Sequence, residues 1–313
     1  KFLPNLRYLL DPKNTDLYRT EFITKLADIA DVYINCAFGC SHRVTKSIKL
    51  LPQMMRQKGK LVVAGVLLYQ EINRIGKFAG RILSQPKKTL VVAGGAKISD
   101  KIEVLKQFVL TGVKSILIGG KMANAFLLAQ QQKELIQPFH TDKLPAKLLS
   151  QKVQENEELL KEINLAEEII ELAEINKVAL IFPDDYKVVS DYQSTIFENK
   201  VTPDFSKELQ LDLGEKTINQ FEDLFKDIKN VFWNGPLGAY DHPACSYYAE
   251  GSLELAKLLF QMALIDSKLS VVIGGGDSAA ILNKIGVTEL KKMIKAQIEK
   301  QFPSTINRNQ ISI

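Results

Sequence analysis

Leu90-Val-Val-Ala-Gly-Gly95 is the first of three stretches that share one pattern; the others are Ile116-Leu-Ile-Gly-Gly120 and Val271-Val-Ile-Gly-Gly-Gly276. In each, an apolar run ends in glycines and a helical segment follows. Continuous apolar strands are typical of a sheet buried on both faces, which requires parallel strands joined by helical crossovers. The sequence therefore predicts an α/β fold: a parallel sheet with helices on both faces. Its glycine turns lie at the edge where open α/β sheets bind ligands.

Other runs continue this alternation of strands and helices. Helices are predicted at residues 101–110, 122–131 and 279–285, and further strands at residues 177–182, 186–189 and 230–233. The Glu-rich stretch 153–175 is typical of an amphipathic helix pair whose charged side faces solvent. Before residue 61 we predict strands at residues 6–10 and 31–35, a short helix near residues 21–30, and then a long helix over residues 65–82.

The composition excludes several classes of protein. The 313 residues carry 41 Lys and Arg against 36 Asp and Glu, and 46% are hydrophobic, which is ordinary for a globular chain of about two domains. Residues 291–313 hold +4 of the net charge of +5, so the rest of the chain is nearly neutral and the net charge is weak evidence for a nucleic-acid partner. The longest apolar run, residues 61–69, is too short to cross a bilayer. Three cysteines do not suit a disulfide framework. We expect a cytoplasmic protein without nucleic-acid or membrane partners.

Lys97 stands between a predicted strand and a predicted helix, in Gly94-Gly-Ala-Lys-Ile-Ser-Asp-Lys101. The N-terminus of a helix exposes unpaired amides and a partial positive charge, which attract phosphate, and a lysine adds a full charge. The alternative is a tight turn that needs glycine and leaves Lys97 exposed. No G-x-x-x-x-G-K-[ST] motif occurs in the chain, so a P-loop is excluded.

Gly274-Gly-Gly-Asp-Ser278 is a second candidate site. Its glycines allow a ligand to approach the backbone, and Asp277 suits a hydrated Mg²⁺ that bridges phosphates. The alternative is that Asp277 or Ser278 only caps the helix. The stretch also matches the G-x-G-x-x-A dinucleotide motif of dehydrogenases. That interpretation lacks an acidic residue at the end of a second strand about 20 residues later.

Three further residues are candidates because of where they stand. Asn234, in Trp233-Asn-Gly-Pro-Leu-Gly238, follows a strand and either reaches a ligand or belongs to a purely structural turn. Arg7 and Arg43 lie in or just after predicted strands, and a guanidinium group binds carboxylate or phosphate, although most single arginines are surface residues. A zinc site at Cys36, Cys40 and His42 lacks the second cluster that would complete four ligands.

These motifs, in this order, resemble those of the phosphoglycerate kinases. Asn5-Leu-Arg-Tyr8 is similar to the family's N-[VL]-R-[FY] strand, residues 31–43 to its D-V-x-x-N-D-A-F-G…H-R segment, and residues 94–101 to its G-G-A-K-x-x-D-K turn. The resemblance continues through residues 118–123, 211–214, 233–238 and 274–278, and covers about residues 1–290. It implies a Rossmann-like nucleotide domain and part of a second α/β domain.

The resemblance also implies an activity: reversible phosphoryl transfer between 1,3-bisphosphoglycerate and Mg-ADP, giving 3-phosphoglycerate and Mg-ATP. It implies that Arg7 and Arg43 bind the substrate and that Lys97 is catalytic. It implies that Asp277 is nearest the Mg²⁺, partly through water. The implied nucleotide contacts are Lys97, Lys101, Gly214, Asn234, Asp241, Gly274, Gly275, Gly276, Asp277 and Ser278.

The same resemblance suggests four regions and a monomer. They are part of a substrate domain (residues 1–60), an interdomain helix (61–85), a nucleotide-binding domain (86–290) and a divergent basic tail (291–313). The family's N-terminal D-x-N motif and its S-T-G-G-G-A strand are not recognisable, and we expect an N-terminally incomplete chain.

Several positions depart from the family's pattern. Cys36 stands in place of an aspartate, Lys121 in place of a third glycine, and Asp241 in place of a glutamate. The alternative hypothesis is therefore a non-catalytic, truncated relative that retains a nucleotide-binding α/β domain. On the sequence we expect this chain to bind nucleotide weakly and to turn over poorly.

Overall fold

The computed structural model describes residues 16–136, 157–201, 208–243 and 245–286, together with residues 203 and 292. The chain divides into two compact units, residues 1–80 and residues 81–313. Arg7, the strand predicted at residues 6–10 and nearly all of the basic tail lie outside the described residues.

The first unit is built on two short parallel strands. Its elements, with the long helix that continues to residue 84, are α1 (Asp16–Ile29), β1 (Val32–Asn35), α2 (Leu51–Gln57), β2 (Leu61–Ala64) and α3 (Val66–Ser84). Residues 61–64 were expected to open the interdomain helix, and that expectation is wrong, because they pair with β1 from Val32↔Leu61 to Asn35↔Ala64. Lys60, just before β2, donates to the carbonyl oxygens of Ala27 and Ala30 at 2.8 Å each, which satisfies the end of α1.

A five-stranded parallel sheet forms the centre of the second unit. Its strands are β3 (Thr89–Ala93), β4 (Ser115–Ile118), β5 (Ala179–Ile181), β9 (Asn230–Asn234) and β10 (Ser270–Gly274). They lie in the order β10-β9-β3-β4-β5, and every neighbouring pair is parallel. The helices are α4 (Ile102–Thr111), α5 (Ala123–Ile136), α6 (Glu157–Asn176), α7 (Glu215–Asn219), α8 (Phe221–Leu224), α9 (Cys245–Tyr248), α10 (Glu250–Ile265) and α11 (Gly276–Ile285).

Helices cover both faces of this sheet, as predicted. On one face, Leu90 of β3 and Trp233 of β9 join a buried cluster with Leu255 and Leu259 of α10. On the other face, the ring of Phe108 in α4 meets that of Phe232 in β9, with centroids 5.1 Å apart. Adjacent residues of a strand point to opposite faces, so Phe232 and Trp233 show that the sheet is buried on both sides. The predicted α/β fold with a parallel sheet is confirmed.

Two features of the second unit were not predicted. A separate antiparallel sheet, in the order β7-β6-β8, contains β6 (Tyr186–Val189), β7 (Glu198–Lys200) and β8 (Leu209–Leu213). The sequence patterns predict β6 but neither of its partners. The expected helix pair over residues 153–175 is, in its described part, the single 20-residue helix α6. No glycine or proline interrupts residues 157–176, so nothing breaks the helix.

None of the helices in the described part of the chain is both long and apolar enough to cross a membrane.

Leu117 and Leu110 offer a matched test of this core. Leu117 in β4 is 1% exposed, whereas Leu110 in α4 is 56% exposed. We expect Leu117→Ala to lower the free energy of unfolding by about 2–5 kcal/mol, because it leaves a cavity in the sheet. Leu110→Ala should change it by less than about 0.5 kcal/mol. Trp233 is the chain's single tryptophan and is fully buried in this unit, so its fluorescence during urea unfolding reports the change. Equal effects of the two substitutions would contradict the assignment of the core.

Candidate functional site

The glycine turns at the carboxyl edge of the large sheet are joined directly through their backbones. The amide of Gly94, after β3, donates to the carbonyl oxygen of Asn234 at 2.9 Å, and that of Gly95 donates to the carbonyl oxygen of Pro236 at 2.8 Å. A Cβ on Gly94 would lie 2.6 Å from the carbonyl carbon of Pro236, which no real side chain tolerates. Glycine is therefore required here by the approach of one backbone to another.

The turn after β4 closes onto the same place. The amide of Gly120 donates to the carbonyl oxygen of Leu237 at 3.2 Å. Gly120 has φ +65°, and a Cβ there would lie 2.6 Å from the amide nitrogen of Gly95. Both the left-handed backbone and the lack of space exclude a side chain. The carboxyl ends of β3, β4 and β9 thus form one rigid floor.

A cleft of about 840 Å³ opens above this floor. Three of the predicted site residues, Lys97, Asp241 and Asp277, line it, although they are far apart in sequence. Tyr240 also lines the cleft, and its hydroxyl donates to Oδ1 of Asp277 at 3.3 Å. The parallel sheet brings these residues together because the strands that precede them end at one edge.

The turn that precedes α11 packs on the turn after β9. Gly275 has φ +94°, and a Cβ there would lie 3.1 Å from Oδ1 of Asn234, so the Asn234 side chain lies close beside the glycine turn. The hydroxyl of Ser278 is buried and accepts a hydrogen bond from the amide of Gly235 at 2.7 Å. Ser278 therefore links α11 to the turn after β9. Gly274, the last residue of β10, and Gly276, the first residue of α11, flank Gly275, and Asp277 follows them.

The two other predicted nucleotide contacts lie in different surroundings. Lys101 extends along the floor: a Cβ on Gly95 would lie 3.7 Å from its Nζ, and one on Gly235 would lie 3.1 Å from its Cε. Gly214 lies at the start of α7, where its amide donates to the carbonyl oxygen of Asp185 at 2.9 Å. A Cβ on Gly214 would collide with the Asp185 carboxylate. Lys101 thus places an amine at the glycine turns, whereas Gly214 serves the packing of Asp185.

Two glutamates of α6 reach into the site, which the sequence analysis did not predict. The carboxylate of Glu158 pairs with Nζ of Lys97. The carboxylate of Glu162 accepts hydrogen bonds from the amide of Ile98 at 2.5 Å and from the hydroxyl of Ser99 at 2.6 Å. The hydrogen bond to Glu158 raises the pKa of Lys97, and Lys97 lowers the pKa of Glu158. The expectation that the charged side of α6 faces solvent is correct for the exposed Glu158 and wrong for Glu162, which is half-buried because the helix packs beside α4 and α5.

The small antiparallel sheet supplies a wall of the cleft that the sequence analysis missed. Gln210 of β8 accepts a hydrogen bond from the side-chain amide of Asn124 in α5. Among the described residues, Oδ1 of Asn124 and the hydroxyl of Tyr186 are buried without a hydrogen-bond partner. An alternating strand signal such as Leu209–Leu213 is short, and β8 could have been found only through its pairing with β6.

Asp212 is a fully buried acid at the base of this wall. Its carboxylate accepts hydrogen bonds from the amides of Leu213 at 2.9 Å and Gly251 at 3.0 Å. Burial raises the pKa of Asp212 to about 6, although these amides and the charge of Lys187 oppose the shift. Lys187 itself pairs with Glu250 at the start of α10. Asp212 thus ties β8 to the start of α10.

Comparison with known proteins agrees with this arrangement. The family model for phosphoglycerate kinase matches residues 2–295. The chain belongs to the phosphoglycerate kinase family. The predicted resemblance is therefore confirmed, and it extends over nearly the whole chain.

Individual members of the family show the same relationship. The phosphoglycerate kinase of Lactobacillus johnsonii is 36% identical over 264 residues, which are 83% of this chain and 57% of that protein. The enzyme of Anaeromyxobacter sp. (strain K) is 31% identical over 296 residues, 93% of this chain and 65% of its own length. The solved phosphoglycerate kinase of Coxiella burnetii is 26% identical with a TM-score of 0.59, covering 87% of this chain and 61% of that one. This chain thus spans roughly three-fifths of the length of these relatives.

Gly120 should tolerate no side chain. We expect Gly120→Ala to lower the free energy of unfolding by about 2–4 kcal/mol, because it combines a left-handed backbone with an overpacked floor. Gly276→Ala is the matched control, since an added Cβ there meets nothing within 4 Å. Urea unfolding followed by Trp233 fluorescence measures both variants. A Gly120→Ala protein as stable as Gly276→Ala would show that the turns are not in contact.

Asp212 should make stability depend on pH in an unusual direction. Burial raises the pKa of Asp212 to about 6 in the folded protein, whereas in the unfolded chain it is near 4. As the pH rises through this range the unfolded state loses the proton first, so the free energy of unfolding falls. Between pH 4 and pH 6.5 we expect the wild type to lose about 2 kcal/mol of unfolding free energy relative to Asp212→Asn. Taking the difference between the two proteins removes the contribution of the other carboxylates. If the stability of the wild type relative to Asp212→Asn stays constant or increases as the pH rises, Asp212 is not a buried, ionisable acid.

Proposed function

We propose that this chain belongs to an active phosphoglycerate kinase. In this proposal it catalyses reversible phosphoryl transfer between 1,3-bisphosphoglycerate and Mg-ADP, giving 3-phosphoglycerate and Mg-ATP. The observation that carries the proposal is the cleft at the carboxyl edge of the parallel sheet, where Lys97, Asp241 and Asp277 meet above a floor of glycine turns. Family membership favours this function over the non-catalytic alternative.

The chemistry of the cleft supports phosphoryl transfer. This reaction depends on positioned positive charge and amide donors more than on a covalent nucleophile. The turn after β3 offers the amine of Lys97 and the amides of Ile98 and Ser99 in one place, and Lys101 adds an amine on the floor. In the proposal, Lys97 stabilises the charge of the transferred phosphoryl group and Lys101 holds the nucleotide phosphates.

Asp277 fits a magnesium ion. Its carboxylate lies at the start of α11, lines the cleft, and has Oδ1 oriented by the hydroxyl of Tyr240. Mg²⁺ is usually held by one or two carboxylates together with phosphates and water, rather than by a cage of protein ligands. A bound Mg²⁺ would neutralise charge on the nucleotide phosphates. Asp277 would hold that ion, partly through water.

The remaining nucleotide contacts follow from the same placement. Asp241 lines the cleft next to Tyr240 and is proposed to contact the ribose hydroxyls. Asn234 and the turn Gly274–Gly276 are proposed to lie along the phosphates, since the lack of side chains at these glycines leaves the backbone accessible. Ser278 contributes by holding the turn after β9. Gly214, at the start of α7, is proposed as a further nucleotide contact.

On the substrate side, the proposal uses two arginines of the first unit. Arg43 is exposed and follows β1 and a short 3₁₀ turn, Phe38–Cys40, at the carboxyl end of the strand. Arg7 is proposed to contribute as well. A planar guanidinium suits the carboxylate and phosphate of phosphoglycerate. We also propose a monomeric, cytoplasmic enzyme whose partners are these small molecules.

Lys97→Ala tests the proposed catalytic role. ATP formation from 1,3-bisphosphoglycerate and Mg-ADP, followed in a coupled assay on the full chain, should fall by about a hundredfold or more. Lys226→Ala is the control, because Lys226 pairs with Asp223 on the surface outside the cleft lining. Nucleotide binding without ATP formation in the wild type would favour the non-catalytic alternative. The absence of both would overturn the proposal.

Asp277→Asn tests the proposed metal site. Calorimetry should show the affinity for Mg-ADP falling by about tenfold or more, with little change in the affinity for metal-free ADP, because Asn loses the charge that attracts the ion. Asp223→Asn, the same change at an exposed site outside the cleft lining, should leave both affinities unchanged. An equal loss for metal-free ADP would show that Asp277 does not act through the ion.

A further inference from the structure

The turn after β3 already holds an anion that belongs to the protein itself. We name Glu158 and Glu162 of α6 the acidic latch. Glu158 pairs with Nζ of Lys97, and Glu162 accepts hydrogen bonds from the amides of Ile98 and Ser99, at 2.5 and 3.3 Å, and from the hydroxyl of Ser99 at 2.6 Å. The two carboxylates therefore pair with one ammonium group and accept hydrogen bonds from two amides and one hydroxyl of this turn.

These four donors are the kind that bind phosphate. Consecutive backbone amides ahead of a helix, a hydroxyl and a lysine form an anion site, and charge-assisted hydrogen bonds to them are stronger than neutral ones. Carboxylate and phosphate oxygens compete for the same donors. A phosphate group that enters this turn must first displace the acidic latch.

The latch is built so that it can be displaced. The side chains of Lys97 and Glu158 are 50% and 67% exposed, and ion pairs at such exposure contribute little to stability. The helix that carries the latch is anchored by the buried residues Ile163, Ala166 and Ile169. Glu162 is half-buried, but both glutamates extend from this anchored helix, so we expect their side chains to rotate away from the turn while α6 keeps its place.

We propose that the acidic latch is an internal competitor that sets the affinity of the Lys97 turn for polyphosphate. A ligand with several phosphate charges, such as a nucleoside di- or triphosphate, displaces both carboxylates, whereas a singly charged anion displaces them poorly. This inference rests on the proposed function, because it concerns the same phosphate site. It adds that Glu158 and Glu162 weaken the binding of phosphate groups at this turn and favour ligands that carry several negative charges.

The experiment compares two double variants of the full chain. Glu158→Gln/Glu162→Gln removes the charge of the latch. Glu168→Gln/Glu171→Gln makes the same change of charge on the same helix, where Glu168 pairs with Lys106. Calorimetry at constant ionic strength measures the affinity for inorganic tripolyphosphate and for Mg-ADP. We expect the latch variant to bind tripolyphosphate about tenfold more tightly than the wild type. The control variant should stay within about twofold of the wild type.

The outcomes separate this inference from the proposed function. Tighter binding of tripolyphosphate without binding of Mg-ADP would support the latch and overturn the nucleotide site. Binding of Mg-ADP with no difference between the two double variants would overturn the latch and leave the function standing. If no variant binds either anion, both proposals fail.

A second measurement on the wild type covers the case in which the latch variant does not fold. NMR resonances of the Glu158 and Glu162 carboxyl carbons should shift as tripolyphosphate saturates the protein, together with the amides of Ile98 and Ser99. If the amides shift while both carboxyl resonances stay unchanged, the anion binds without displacing the latch, and the inference is wrong.

Discussion

The second unit depends on the direct contact of three backbone turns at the carboxyl edge of its sheet. Gly94, Gly120 and Gly235 lie so close to neighbouring backbone that each would place a Cβ within 2.8 Å of a main-chain atom. Side chains usually keep such turns apart, whereas here amides and carbonyl groups bond across the strand ends. Because the turns cannot move separately, the residues that follow them are held in a constant arrangement.

The charged groups of the site show how that arrangement is used. Lys97 and the amides beside it emerge from one turn, Asp277 from another, and Asp241 from a third, so opposite charges face the same cleft. The acidic latch satisfies the first of these groups from within the chain. A site for highly charged ligands would otherwise expose several unpaired donors. The carboxylate of Asp212 is buried instead of exposed. Its burial lowers the stability of the fold when it is ionised, while its hydrogen bond to Gly251 holds β8 against α10.

Much of this could be predicted from residue patterns. Three strands of the large sheet, β3, β4 and β10, follow from apolar runs that end in glycine, apart from their exact ends, since this pattern is determined by neighbouring residues. Local patterns are a poorer guide where a segment becomes a strand only by pairing with a neighbouring strand. The segments Leu61–Ala64 and Leu209–Leu213 are strands because β1 and β6 lie beside them, and the charged side of α6 is a binding surface because the turn after β3 faces it.

The sequence by itself determined the fold class, the glycine turns, and the family to which the chain belongs, because these depend on residue type and on order along the chain. It also identified Lys97, Asp241 and Asp277 as candidates. Tertiary structure alone decided which candidates share a cleft and which donors are already paired. Glu158 and Glu162 stand about 60 residues from Lys97 and Ile98, and no local pattern reports a contact made across that distance. Such contacts arise only when helices and strands pack, so their energetic effects must be derived from the folded chain.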